Sequence, residues 1–116
     1  VELKQYSMQE VTVLALEGRL DSYSVPKLRA QLKTSTNQHP SKIVVDLASV
    51  SFIDSTGLAA LIQGMRTCRD GGGNLCLSNP QRPVRLILEL TRLDSAIDIF
   101  PNEHEAVASF QHPLNS

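Results

Sequence analysis

"KIVVDLASVSFIDSTGLAALI" (residues 42–62) decides how this chain folds. Residues 42–47 are apolar in the centre, the pattern of a short strand covered on both faces. Leu58, Leu61, Ile62, Met65 and Cys68 then recur at helical spacing. Between them "ASVSFID" reads as the approach from strand to turn, and the helix is expected to begin at about Thr56. A strand feeding directly into a helix is the repeating unit of an α/β sheet.

The same alternation continues on both sides. "VTVLALEG" (11–18) is β-branched and aliphatic and ends in Gly, as strands do, and residues 1–8 can hairpin onto it as an edge strand. Residues 24–36 place Val25, Leu28 and Leu32 on one helical face, with Pro26 in the first turn and Ser24 as the expected cap. "NQHPS" (37–41) breaks that helix. "DGGG" (70–73) ends the central helix, since glycine accepts the left-handed conformation of a helix end. "NLCLS" (74–78) is a strand and "NPQRP" (79–83) a turn, followed by a helical stripe of Val84, Ile87, Leu88 and Thr91. "AIDIF" (96–100) reads as a last short strand. Asn102 and Glu105 then have capping-box spacing ahead of Ala106, Val107 and Phe110. Strands separated by helices need crossovers, so the sheet is expected to be largely parallel, and the initial hairpin makes it mixed. The expectation is one α/β domain over residues 1–110, with a four- to five-stranded sheet and about four helices. Residues 111–116 read as a loose tail.

Composition narrows the function classes. The chain has 116 residues, 41% hydrophobic and 20% charged, with a formal net charge of −1. That balance is globular, and it suggests no general attraction to nucleic acid or anionic membrane. No apolar run approaches the roughly 18 residues of a membrane span, and no secretory leader is read at the start. Cys68 and Cys76 alone cannot complete a four-ligand zinc site, and they read as reduced, semi-buried thiols. No metal or cofactor is expected.

"FIDSTGL" (52–58) carries more oxygen than a turn requires. Asp, Ser and Thr are all good helix caps, and Gly57 permits a tight turn. One cap explains one of the three residues. Several catalytic patterns fail on spacing: there is no G-x-S-x-G around Ser55, and no Lys follows Gly57 as in a phosphate-binding loop. A serine hydrolase needs a histidine beside Ser55, yet His39, His104 and His112 all read as loop or terminal surface residues. A phosphorylated hydroxyl fits the place better. It would bring roughly −1.5 to −2 charges to the amino end of a helix, which accepts anions. Asp54 beside it would deepen one negative patch that a partner must meet. Opposite the buried stripe, Ala60, Gln63, Gly64 and Thr67 are expected to form a small, uncharged face open to another protein.

The chain resembles the anti-sigma factor antagonists of the STAS domain family. The resemblance rests on "EGRLDSYSVPKLR" (17–29), "KIVVDLASVSFIDSTGLAALI" (42–62), "GGGNLCLSNPQRPVRLIL" (71–88) and "LDSAIDIFPNEHEA" (93–106). It implies a cytoplasmic bacterial switch, not an enzyme, with helices mainly on one side of a mixed sheet. Unphosphorylated, such a protein binds an anti-sigma factor that is also a serine kinase. Phosphorylation of the hydroxyl after the motif Asp, here Ser55, releases it, and a metal-dependent serine phosphatase restores it. The resemblance gives Asp54 a part in binding and phosphorylation and makes Thr56 the weaker phosphosite. It also puts Gly18, Leu20 and Asp21 in a loop at the same end, with Asp21 a candidate partner contact. Direct contact with nucleic acid or membrane is not implied, and the free chain is expected to be monomeric. The alternative reading is an accessory STAS scaffold in a transport or stressosome-like complex.

Overall fold

The computed structural model describes residues 1–111. Beyond Gln111, the expected tail and His112 lie outside the described residues. Strands β1 (Glu2–Met8), β2 (Val11–Leu20), β3 (Lys42–Ile53), β4 (Asn74–Ser78) and β5 (Ile99–Phe100) form one sheet in that order. β1 pairs with β2 antiparallel, and the three remaining pairings are parallel. The crossovers are α1 (Val25–Ser35), α2 (Ser55–Asp70) and α3 (Arg82–Leu90), and α4 (Glu103–Ala108) follows β5. The mixed, largely parallel sheet and four helices match the reading of the sequence.

Period-two alternation divides the strands between two cores. Leu14, Leu16 and Leu20 of β2 with Ile43, Val45 and Leu47 of β3 face α1, α2 and α3. Val11, Val13, Val44 and Cys76 face the other way, against Ala106 and Val107 of α4. The first core is much the larger, so three of the four helices share one side. Both cysteines are fully buried rather than semi-buried. Burial raises both thiols, Cys68 to about 11 and Cys76 to about 12.

Strand β3 is longer than residues 42–47. It runs through the expected approach to the turn as far as Ile53, because its register with β2 slips twice, between Ala15 and Glu17 and between Gly18 and Arg19. Each slip gives β3 one extra residue. The extra residues return Val50 and Ile53 to the core, although Ala48, Ser49 and Ser51 in the same stretch are exposed. The slips also carry Gly18 and Leu20 into β2 itself, leaving Asp21 in the loop.

Several local features differ from what the sequence pattern suggests. Ser24 precedes α1, but its hydroxyl donates to the Arg19 carbonyl (2.8 Å) and accepts from the Asp21 N–H (2.9 Å) instead of capping the helix. Within "DGGG" the left-handed residue is Gly72 (φ 85°), not the helix-ending Gly71. "AIDIF" supplies only Ile99 and Phe100 to the sheet, while a 3-10 turn at Leu93–Ser95 precedes it. Asn102 accepts from the Glu105 N–H at 2.8 Å, and the return bond joins the two side chains rather than reaching the Asn102 backbone.

Candidate functional site

The site is built where β3 stops. Ile53 is the last inward-facing residue, and Asp54 turns the chain into α2. The Asp54 N–H donates to the Leu20 carbonyl at the end of β2 (3.2 Å), and the Asp54 carbonyl accepts from Leu58 (2.9 Å). Its carboxylate accepts from the Gly57 N–H at 2.9 Å. Of the residues that could cap, Asp54 is therefore the one that does, and α2 begins one residue earlier than expected, at Ser55. This leaves Ser55 exposed at the first helical position, Thr56 half-buried and Gly57 buried. The first-turn N–H groups and the positive end of the helix dipole lie at the same place. Asp54→Ala should cost about 1 kcal/mol of stability through loss of the cap, and Asp54→Asn, which still accepts the bond, much less. Denaturant midpoints of the two variants check this; equal losses would remove Asp54 from the capping role.

The loop after β2 adjoins this turn through the Leu20–Asp54 bond. The Asp21 carboxylate accepts from the N–H groups of Tyr23 (3.1 Å) and Ser24 (3.2 Å), and Arg19 lies 3.6 Å away. Desolvation pushes the Asp21 carboxyl up. The hydrogen bonds from Ser24 and Tyr23, with the Arg19 charge, outweigh that and hold it below the ordinary carboxylate value. Arg19 itself stacks on Phe52, 4.0 Å from the ring centre, and Tyr23 projects from the same loop 94% exposed. Asp21 and Asp54 thus stand on neighbouring, internally bonded turns. The Arg19–Phe52 stack was not readable beforehand, because it depends on the slipped register that sets Arg19 of β2 beside Phe52 of β3.

The expected face of α2 divides in two. Successive residues are about 100° apart around a helix, so Ser55, Ala59, Ile62 and Arg66 share one flank and Ala60, Gly64 and Thr67 the other. The first flank borders an open hollow of about 390 Å³ lined by Ser55, Leu58, Ala59, Ile62, Arg66 and Leu93. The second faces α1. Ala60 and Gly64 are buried there rather than displayed, Thr67 is half-buried, and Gln63 is exposed, bordering both the first hollow and a second one between α1 and α2. Arg66 and Leu93 were not singled out from sequence, and Ile62, which helical spacing marks as core, is half-buried at the edge of the first hollow.

The histidines do not gather at Ser55. His39 lies against Gly71 at the far end of α2, about 24 Å away along a helix of this length. His104 sits on α4, on the opposite side of the sheet. Among the described residues no helix is long and apolar enough to cross a membrane.

Residues 3–106 match the STAS domain family, and the chain belongs to it. The anti-sigma-B factor antagonist of Bacillus subtilis is 32% identical over 84 residues, covering 72% of this chain and 76% of that protein. The STAS domain protein of Planctomyces limnophilus superposes with a TM-score of 0.86 at 19% identity, over 95% of this chain and 98% of that one. SpoIIAA, a cell fate determinant of Bacillus solved in its phosphorylated form, gives a TM-score of 0.71 at 25% identity, over 94% of this chain and 99% of that one.

Proposed function

We propose that this chain is an anti-sigma factor antagonist of the partner-switching kind. Unphosphorylated, it binds an anti-sigma factor that is also a serine kinase. Transfer of a phosphoryl group to the Ser55 hydroxyl ends that binding, and a metal-dependent serine phosphatase reverses it. The protein is the acceptor of the phosphoryl group, not the catalyst, and acts in the cytoplasm without touching nucleic acid or membrane.

The observation that carries this reading is the separation of duties at the turn. Asp54 performs the capping, so the Ser55 hydroxyl is free of structural work and open to solvent at a helix amino end. Phosphate there gains the helix dipole and the first-turn N–H groups, so the fold tolerates it. Thr56, half-buried one residue on, is the less accessible hydroxyl. The names of the relatives support the antagonist role, and the phosphorylated form of SpoIIAA supports a covalent switch. In this reading the partner contacts Asp21, Asp54, Ser55, Thr56 and Gln63, together with the flank of Ala59, Ile62 and Arg66. Gly57 acts from below by letting the turn close.

Incubation with the co-purified kinase and ATP, followed by peptide mass spectrometry, tests the site. One phosphate is expected on Ser55 and none on the Ser55→Ala protein. Phosphate on another residue, or a native co-purifying complex of transporter subunits in place of a kinase, would overturn the reading.

A further inference from the structure

On its other flank, α2 packs against α1 and leaves an open groove of about 210 Å³. Leu32, Ala60 and Gly64 form the floor. A Cβ on Gly64 would lie 3.0 Å from one Leu32 methyl and 3.1 Å from a Leu75 methyl, so the helices approach closely below. Above that contact the groove is open, with Arg29, Lys33, Gln63 and Thr67 along its rim. The Thr67 hydroxyl donates to the Gln63 carbonyl within its own helix. Arg29 and Lys33 are exposed, one helical turn apart, and in no ion pair among the described residues.

The rim of this groove is basic. Helix α1 carries Lys27, Arg29 and Lys33 and no carboxylate, while on α2 Arg66 lies on the Ser55 flank and Arg69 pairs with Asp98 at 3.7 Å, so the groove's own cations are Arg29 and Lys33. The chain as a whole has a net charge of −1, so most carboxylates lie on the strands, loops and remaining helices. The groove is smaller than the roughly 300–1,000 Å³ of small-molecule pockets and suits one or two apolar side chains. A furrow between two helices is also the surface into which the ridge of a third helix packs.

We propose that the α1–α2 groove docks an acidic amphipathic helix of a partner protein. An apolar side chain enters over Ala60 and Gly64, and carboxylates one turn apart meet Arg29 and Lys33. The charges steer the encounter and set its orientation, and the slot supplies the buried contact. A polyanion such as nucleic acid would use the charges but leave the slot empty. Because Ser55 lies on the opposite flank of α2, this docking does not depend on the phosphorylation state and goes beyond the switch proposed above.

The test is a nuclear magnetic resonance titration of the isotope-labelled chain. The probe is a helix-stapled synthetic peptide with leucines along one face and glutamates on both flanks. Shifts are expected at Arg29, Leu32, Lys33, Ala60, Gly64 and Thr67. Reversing both exposed cations in Arg29→Glu/Lys33→Glu should weaken binding at least about tenfold while the spectrum stays folded. The same peptide with lysines replacing the glutamates should not bind. Ser55→Asp should bind the peptide as the parent does, so this docking and the Ser55 switch can fail separately. Shifts confined to other surfaces would overturn the proposal, as would unchanged affinity in the charge-reversed protein. Equal occupation of the groove by decanoate, by an RNA oligonucleotide or by a second copy of the chain would also overturn it in favour of that occupant.

Discussion

Ser55→Asp, and equally Ser55→Glu, should lower affinity for the anti-sigma factor partner at least about a hundredfold, close to 2.7 kcal/mol. The Ser55→Ala protein should bind as the parent does. Ser55 is the first helical residue, exposed at the edge of a hollow floored by Leu58, Ala59 and Ile62. A partner surface fitted to a neutral hydroxyl there must desolvate whatever replaces it. A carboxylate brings charge and a hydration shell into contact already shared with Asp54 and Asp21. Stability should move the other way or not at all, because an anion at a helix amino end contributes about 0.3–1 kcal/mol. Calorimetric titration with the partner captured by Ser55→Ala, run beside thermal melts of each variant, separates binding from folding. Retention of full affinity by Ser55→Asp would sink the switch. Loss of affinity accompanied by unfolding would place the effect in the fold.

Gly57→Ala should destabilise the domain by about 1–3 kcal/mol and drop its unfolding midpoint by roughly 5–15 °C. A Cβ at this position would lie 2.6 Å from the Leu20 carbonyl oxygen and 3.0 Å from Ile53 and Leu20 side-chain carbons. The side-chain contacts could relax by a few tenths of an ångström. The carbonyl cannot move freely, because it accepts the Asp54 N–H that ties β2 to the turn. Alanine is the better helix former by about 1 kcal/mol, which offsets only part of the clash. The substitution therefore strains the link between the Asp21 loop and the Asp54 turn as well as the core. Thermal unfolding gives the loss, and an unmoved midpoint would show that the turn has slack the geometry does not suggest. Ala59→Gly, on the exposed side of the same turn, should lose only the propensity difference.

The α/β alternation was readable because each helix carries its own stripe and each strand its own apolar run. Val25, Leu28 and Leu32, then Leu58, Leu61 and Met65, then Val84 and Leu88 mark three helices from local periodicity alone. The far half of β3 was not readable. "ASVSF" breaks the period-two pattern, and the extra residues that restore Val50 and Ile53 to the core make sense only against the register of β2. Ser24 shows the same limit. Its type and position suit a cap, yet the hydroxyl bonds to Arg19 and Asp21 in a loop whose path depends on the end of β2.

The candidate site divides along the same line. "DSTG" is local chemistry: a capping carboxylate, two hydroxyls and a glycine at a strand-to-helix turn follow from residues adjacent in the chain. Which oxygen caps the helix, and which hydroxyl is left exposed, was decided by the Leu20 carbonyl arriving from another strand. Helical spacing likewise placed Ala60, Gly64 and Thr67 away from the first core stripe. It could not reveal that α1 covers that side. Periodicity reports which residues leave water together. Only the packing of one element against another decides which surfaces remain for a partner.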